Sequence, residues 1–208
     1  MLQYITHNSE RYSTVDQVKT VIEGGCRWIQ LRMKDATDME VRNVAIELIP
    51  ICRDNDAFLI IDDRVELVNE LRVSGVHLGK EDMPPRQARE LLGPHAIIGV
   101  TANTADDILA TRGIDIDYIG LGPVKHTETK KRLAPVLGVA GVAQVMAKVR
   151  AAGIETPVVA IGGVTAEDVP ALMAADVNGV AMSGAILRSP DPAAYTARVV
   201  ETLNGALR

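Results

Sequence analysis

The 208-residue chain has only two cysteines, Cys26 and Cys52, and they fit no metal-ligand spacing and no disulfide framework. Two reduced, buried thiols are the expectation, as in a cytoplasmic protein. Basic excess is also missing. A net charge of −5 excludes a general nucleic-acid binder, which needs surplus Lys and Arg to displace counterions. An anionic small molecule is not excluded, because it responds to local charge. No stretch approaches the ~20 apolar residues that a membrane helix needs. The opening "MLQYITHNSERY" enters an apolar strand without the charged-then-apolar layout of a signal peptide. No linker, short-period repeat or low-complexity stretch marks a second domain. These absences predict one soluble domain over residues 1–208, long enough to bury a full core.

Short apolar runs recur throughout, with helical patterns between them. The strand candidates are residues 2–6, 28–33, 58–62, 75–79, 97–102, 118–122, 157–163 and 179–184. They are rich in Ile, Val and Leu and mostly continuous in apolar character, as strands buried on both faces are. Between them, "TVDQVKTVIEGG" starts at a Ser or Thr cap and closes on glycine. In "TDMEVRNVAIELIPICRDND" apolar residues recur at three-to-four spacing, with Pro50 expected to kink or break the last turns. "TAEDVPALMAADV" and "DPAAYTARVVETLNGAL" carry acidic residues near their starts, where the helix dipole favours them. Eight strands each followed by a helix predict an α/β fold of the (β/α)8 barrel type. An open doubly wound sheet is the alternative; at this length it more often has five or six strands.

Active sites of such barrels lie at the carboxyl ends of the strands. The segment after the sixth strand, "GPVKHTETKKRLAPVLG", is far longer than an ordinary βα connection and gathers Lys125, Lys130, Lys131 and Arg132. Strand two ends in "QLRMK", and period-two alternation puts Gln30, Arg32 and Lys34 on one side, the lumen. Two inward cations are costly unless an anion or carboxylate meets them. Strand three ends at Asp62 and Asp63, and Asp82 follows strand four. Carboxylates facing cations fit Mg²⁺ with a phosphorylated ligand, or a solvated rim of salt bridges. Strands seven and eight end in "AIGGVT" and "AMSGA", so Gly162, Gly163, Ser183 and Gly184 read as a second anion site or as tight turns. Among the histidines, His77 lies mid-strand and reads as a hydrogen-bonded core residue, His7 is at the rim, His95 lies at the opposite end, and His126 sits beside Lys125.

Taken together, "QLRMK", "IIDDRVELV", "GVHLGKED", "GVTAN", "DYIGLGPVKHTETKK", "VVAIGGVT" and "GVAMSGAI" resemble thiamine phosphate synthases, in order and over nearly the entire chain. That resemblance implies a Mg²⁺-dependent barrel transferase of thiamine biosynthesis. Such enzymes join hydroxymethylpyrimidine diphosphate to thiazole phosphate and release pyrophosphate. By motif, Gln30, Arg32 and Lys34 would hold the pyrimidine diphosphate, with Asp62 beside them, while Asp63 and Asp82 would ligate Mg²⁺. Thr101, where the family usually has Ser, and Lys130 would reach the diphosphate. Thr127 to Thr129, Gly163, Ser183 and Gly184 would hold the thiazole phosphate. Arg32, Lys34 and Lys130 become the catalytic candidates, stabilising the leaving pyrophosphate. The partners implied are these small molecules, with no nucleic acid or membrane, for a monomer or homo-oligomer.

Three departures from the family pattern stand out. Asp62 replaces an Asn, Lys80 replaces a Gln, and Lys125–His126 replaces smaller or aromatic residues followed by Pro or another small residue. Asp62 and Lys80 carry opposite charge on neighbouring strand ends and are expected to pair. Two other readings share the barrel. One is a thiazole tautomerase-like branch, which has a histidine where Asn103 stands here. The other is a non-catalytic barrel that binds a thiamine precursor.

Overall fold

A computed structural model of the protein describes residues 1–126 and 135–206. Eight parallel strands close into a barrel in sequence order: β1 (Leu2–Ile5), β2 (Trp28–Leu31), β3 (Phe58–Asp62), β4 (Gly75–Leu78), β5 (Ile97–Ala102), β6 (Tyr118–Leu121), β7 (Val158–Ile161) and β8 (Gly179–Met182). The barrel closes where Leu2 pairs with Val180 and Tyr4 with Met182. The predicted (β/α)8 architecture holds, and the open sheet does not.

The helices among the described residues are α1 (Thr14–Glu23), α2 (Asp38–Arg53), α3 (Val65–Leu71), α4 (Pro85–Leu92), α5 (Ala105–Leu109), α6 (Gly138–Ala151), α7 (Val169–Ala174), the short α8 (Gly184–Leu187) and α9 (Pro192–Ala206). Local chemistry fixes their starts. Ser13 accepts from the Asp16 amide at 3.1 Å to begin α1. Thr37 and Glu40 form a reciprocal capping box at the head of α2. Pro50 does not break α2, which runs on to Arg53. The carbonyl that Pro50 deprives of a donor belongs to Ile46, and both residues are exposed, so water can take the bond.

Period-two alternation sorts the strand side chains into two cores. Ile29, Leu31, Leu59, Ile61, Val76, Leu78, Ile98 and Val100 face the helices in the larger cluster. Ile5, Trp28, Ile60, Tyr118, Val159 and Ala181 fill the lumen. The packing there is tight enough to dictate a glycine. A Cβ on Gly99 would lie 2.0 Å from Cζ of Tyr118, whose ring occupies that space and meets Trp28 edge-on. Two residues further along β2 and β3, and at the matching level of β4 and β5, the inward positions are polar. Gln30, Asp62, His77 and Thr101 thus lie one pleat above the apolar plug, at the carboxyl end of the barrel.

Candidate active site

A cavity of about 550 Å³ opens at that end, floored by the lumen plug and walled by the loops that follow the strands. Gln30, Arg32, Lys34, Asp62, Asp63, Thr101, Gly163, Ser183 and Gly184 all line it. Asp82 is not among the lining residues, but it holds the amide of Gly79, which is. Thr127, Thr129 and Lys130 lie outside the described residues.

One side of the cavity concentrates opposite charges. Gln30 Nε2 donates to Asp62 Oδ1 at 2.6 Å, and both residues are buried. The other Asp62 oxygen faces Lys34 Nζ at 3.4 Å and Arg32 Nε at 3.6 Å. Lys34 also contacts Asp63 directly. Burial works against the Lys34 charge, but Asp62 and Asp63 outweigh it and hold the ammonium pKa above its usual value. The expected Asp62–Lys80 pair does not form. Lys80 instead bonds Asp107 at 2.6 Å, on the first turns of α5. Asp62 is buried at the end of β3, whereas Lys80 lies past the end of β4 in an exposed turn, within reach of Asp107. Arg32 and Lys34 therefore balance Asp62.

Asp63 and Asp82 form a carboxylate pair. Asp63 adopts a left-handed backbone with φ of 66°, an uncommon conformation outside glycine. Asp82 accepts from the Gly79 amide at 2.6 Å. Its carboxyl pKa is raised, first by burial and then by a hydrogen bond with Asp63. The like charge of Asp63 disfavours the ionised form of Asp82, and the nearby Lys34 ammonium only partly opposes this. No larger cluster of metal-ligating side chains occurs among the described residues. Two carboxylates beside a wall that carries Arg32 and Lys34 suit Mg²⁺, which takes one or two protein carboxylates and completes its shell with phosphate oxygens and water.

Across the cavity lie the glycine turns. Gly162 and Gly163 have φ of 93° and 67°, and a Cβ on Gly163 would come within 2.8 Å of the His126 carbonyl. Lys125 N donates to the Gly162 carbonyl at 2.8 Å, knitting the start of the long loop onto the end of β7. The Lys125 ammonium bonds Asp168 at 2.7 Å, so this cation of the loop is already met by a carboxylate.

The structure adds Gln17, Arg188 and His77 to the site, and gives His7, which the sequence put at the rim, a partner there. His7 Nδ1 lies 2.7 Å from Ser183 Oγ. Burial, then Arg188 and Arg32, push the His7 pKa down. Buried Gln17 holds the His7 backbone, donating to its carbonyl at 2.8 Å and accepting from its amide at 3.3 Å. Arg188 lies across Gly184, where a Cβ would fall 2.4 Å from its guanidinium. His77, expected as a core residue, also lines the cavity and is bonded to Thr101. Period-two spacing could have flagged His77 as inward and near the rim, but no spacing rule marks Arg188.

A family model described as thiamine monophosphate synthase matches residues 2–186. The chain is 52% identical over 199 residues to a thiamine-phosphate synthase of Bacteroides fragilis, covering 96% of this chain and 98% of that one. It is 39% identical to a thiamine-phosphate synthase of Flavobacterium johnsoniae, covering 91% of this chain and 90% of that one. Among solved structures, thiamine phosphate pyrophosphorylase from Pyrococcus furiosus matches with a TM-score of 0.85 at 29% identity, over 100% of this chain and 96% of that one.

Proposed function

The chain belongs to the thiamine monophosphate synthase family and is a transferase, and on that premise we propose how its cavity works. It joins hydroxymethylpyrimidine diphosphate to a thiazole phosphate, giving thiamine phosphate and pyrophosphate. The bond from the pyrimidine CH₂ to the diphosphate oxygen breaks, and its electron pair leaves with pyrophosphate. The thiazole nitrogen then supplies a lone pair to the resulting carbocation. That nitrogen carries no proton, so no general base is required.

One observation carries the reading: a single cavity has a cation-bearing wall on one side and a glycine-rich wall with Ser183 and Arg188 on the other. Two phosphorylated substrates need two such walls. Arg32, Lys34 and Lys130 take the diphosphate and stabilise the charge that gathers on its leaving oxygen. Gln30 and Asp62 lie beside the pyrimidine, and Thr101 beside the diphosphate. Thr127, Thr129, Gly163, Ser183 and Gly184 take the thiazole phosphate. Asp63 and Asp82 hold Mg²⁺, which when bound neutralises part of the pyrophosphate charge. The raised pKa of Asp82, caused by burial and by the neighbouring Asp63, reflects two carboxylates lying close together, as that role needs. Closure over the substrates would exclude water, which otherwise captures the cation.

The tautomerase-like alternative loses ground at Asn103. Its side-chain amide is engaged with the Gly122 carbonyl at 2.6 Å, leaving an amide where that branch needs an imidazole. No helix among the described residues is long and apolar enough to cross a membrane, and we read the enzyme as cytoplasmic.

The test is pyrophosphate release from the two substrates with Mg²⁺, repeated in excess EDTA. Release that needs both substrates and Mg²⁺, with thiamine phosphate formed, is expected. Folded protein that binds the thiazole phosphate but yields no product at any Mg²⁺ concentration would overturn the proposal in favour of a precursor-binding barrel.

A further inference from the structure

The polar side chains of the lumen form a line that ends at the cavity. Gln3 Nε2 donates to Tyr118 Oη at 3.0 Å, Tyr118 Oη lies 2.8 Å from His77 Nδ1, and His77 Nε2 lies 2.9 Å from Thr101 Oγ1. Gln3, Tyr118 and His77 are buried, and Thr101 lines the cavity. The line is fixed in place. Gly99 and Gly120 leave the room that the Tyr118 and His77 rings occupy, and Trp28 meets Tyr118 edge-on with centroids 4.6 Å apart.

Counting donors gives the line a direction. The Gln3 amide nitrogen can only donate, so the phenol oxygen accepts there. Burial pushes the Tyr118 pKa far above its ordinary range, so the phenol keeps its proton. That proton needs an acceptor, because native cores rarely leave a buried donor unmet. His77 Nδ1 is within reach to accept it. A neutral ring accepting at Nδ1 carries its hydrogen on Nε2, which faces Thr101 Oγ1. The Thr101 hydroxyl, accepting from the ring, then has its own hydrogen free for the cavity.

We propose that His77 is a positioning residue, set as the Nε2–H tautomer by Tyr118, and that it makes Thr101 a dedicated hydrogen-bond donor to the diphosphate of the bound substrate. The assignment of that acceptor rests on the synthase reading above; the direction of the line does not. Thr101 touches the substrate, whereas His77 and Tyr118 act through it. A donor already aimed at the developing charge needs no reorganisation as the pyrophosphate departs.

Two measurements on the full chain test this. Long-range ¹⁵N–¹H correlation spectra of ¹⁵N-labelled protein, without ligand, report the tautomer of each imidazole, with His77 identified by the signals missing from H77Q. The Nε2–H pattern is expected. An Nδ1–H or doubly protonated ring at His77 overturns the proposal. In steady-state pyrophosphate release, Y118F and T101V are each expected to lower kcat by roughly tenfold, a modest share of what losing an oxyanion donor costs, with the KM for thiazole phosphate unchanged. The double variant should be no slower than T101V, since both changes break one line. Multiplying losses, or a KM effect alone, overturn the proposal. Absence of turnover in the unaltered protein would instead sink the synthase reading, and the spectra would still decide the tautomer.

Discussion

Gln30 and Asp62 share a 2.6 Å hydrogen bond that leaves Gln30 Oε1 and Asp62 Oδ2 buried without hydrogen-bond partners of their own among the described residues. The pair lies on adjacent strands, one pleat above the apolar plug. Asp62 Oδ2 sees Lys34 and Arg32 only at ion-pair distance. Asp62 thus supports the cationic wall in two ways, by orienting Gln30 and by balancing charge. Replacing it by Ala strands the Gln30 donor and should cost about 1–3 kcal/mol. Asp62→Asn keeps an acceptor for Gln30 and should cost clearly less. Urea unfolding of the two variants checks the order; equal losses would mean that charge, and not the hydrogen bond, dominates.

Lys34 is held by Asp62 and Asp63 in the free protein and has a diphosphate role in the proposed reaction. Lys34→Ala should lower kcat for pyrophosphate release by roughly 10²–10³, the scale of losing one preorganised donor to a developing oxyanion. Its melting temperature should hardly move, because the ammonium is substantially exposed. A large loss of stability with unchanged kcat would assign Lys34 a structural role instead.

His7 gives a pH signature whose sign follows from its lowered pKa. In the unfolded chain it takes up a proton near pH 6.5, whereas the folded chain resists protonation until a lower pH. Its neutral form therefore contributes stability that is complete above about pH 6.5 and is lost as pH falls through the folded pKa. His7→Gln removes that dependence. Melting curves from pH 7.5 down to about pH 5 should show the unaltered protein losing stability faster than the variant below about pH 6.5. Parallel curves would show that His7 does not titrate differently in the fold.

Gly99 tests the lumen packing on which the polar layer rests. A Cβ there would collide with the Tyr118 ring, and both groups are enclosed by the barrel. Gly99→Ala should destabilise the protein by about 1–3 kcal/mol, in the range of overpacked cores. Urea unfolding measures it. A neutral change would mean that Tyr118 can move aside, which the line through His77 does not allow.

Much of this site was legible because the strand pleat is strictly periodic. Alternation alone placed Gln30 and Arg32 inward, and continuous Ile, Val and Leu runs marked strands covered on both faces. The glycine pair after β7 was likewise visible, since a turn with positive φ favours residues without a Cβ. The pairing of Lys80 was misread for an equally physical reason. Opposite charge on neighbouring strand ends suggested Asp62, but Lys80 sits in an exposed turn past β4, where Asp107 is within reach.

By itself the sequence determined which residues are strand, which faces are inward, and which side chains crowd the carboxyl end, because these follow from local periodicity. Only the tertiary structure decided the partners. His7 and Ser183 are 176 residues apart and meet because β1 closes against β8. Gln3, Tyr118, His77 and Thr101 come from β1, β6, β4 and β5 and form one line only inside a closed lumen. Hydrogen bonds act over about 3 Å, so which groups share one depends on closure and packing, which no local pattern encodes.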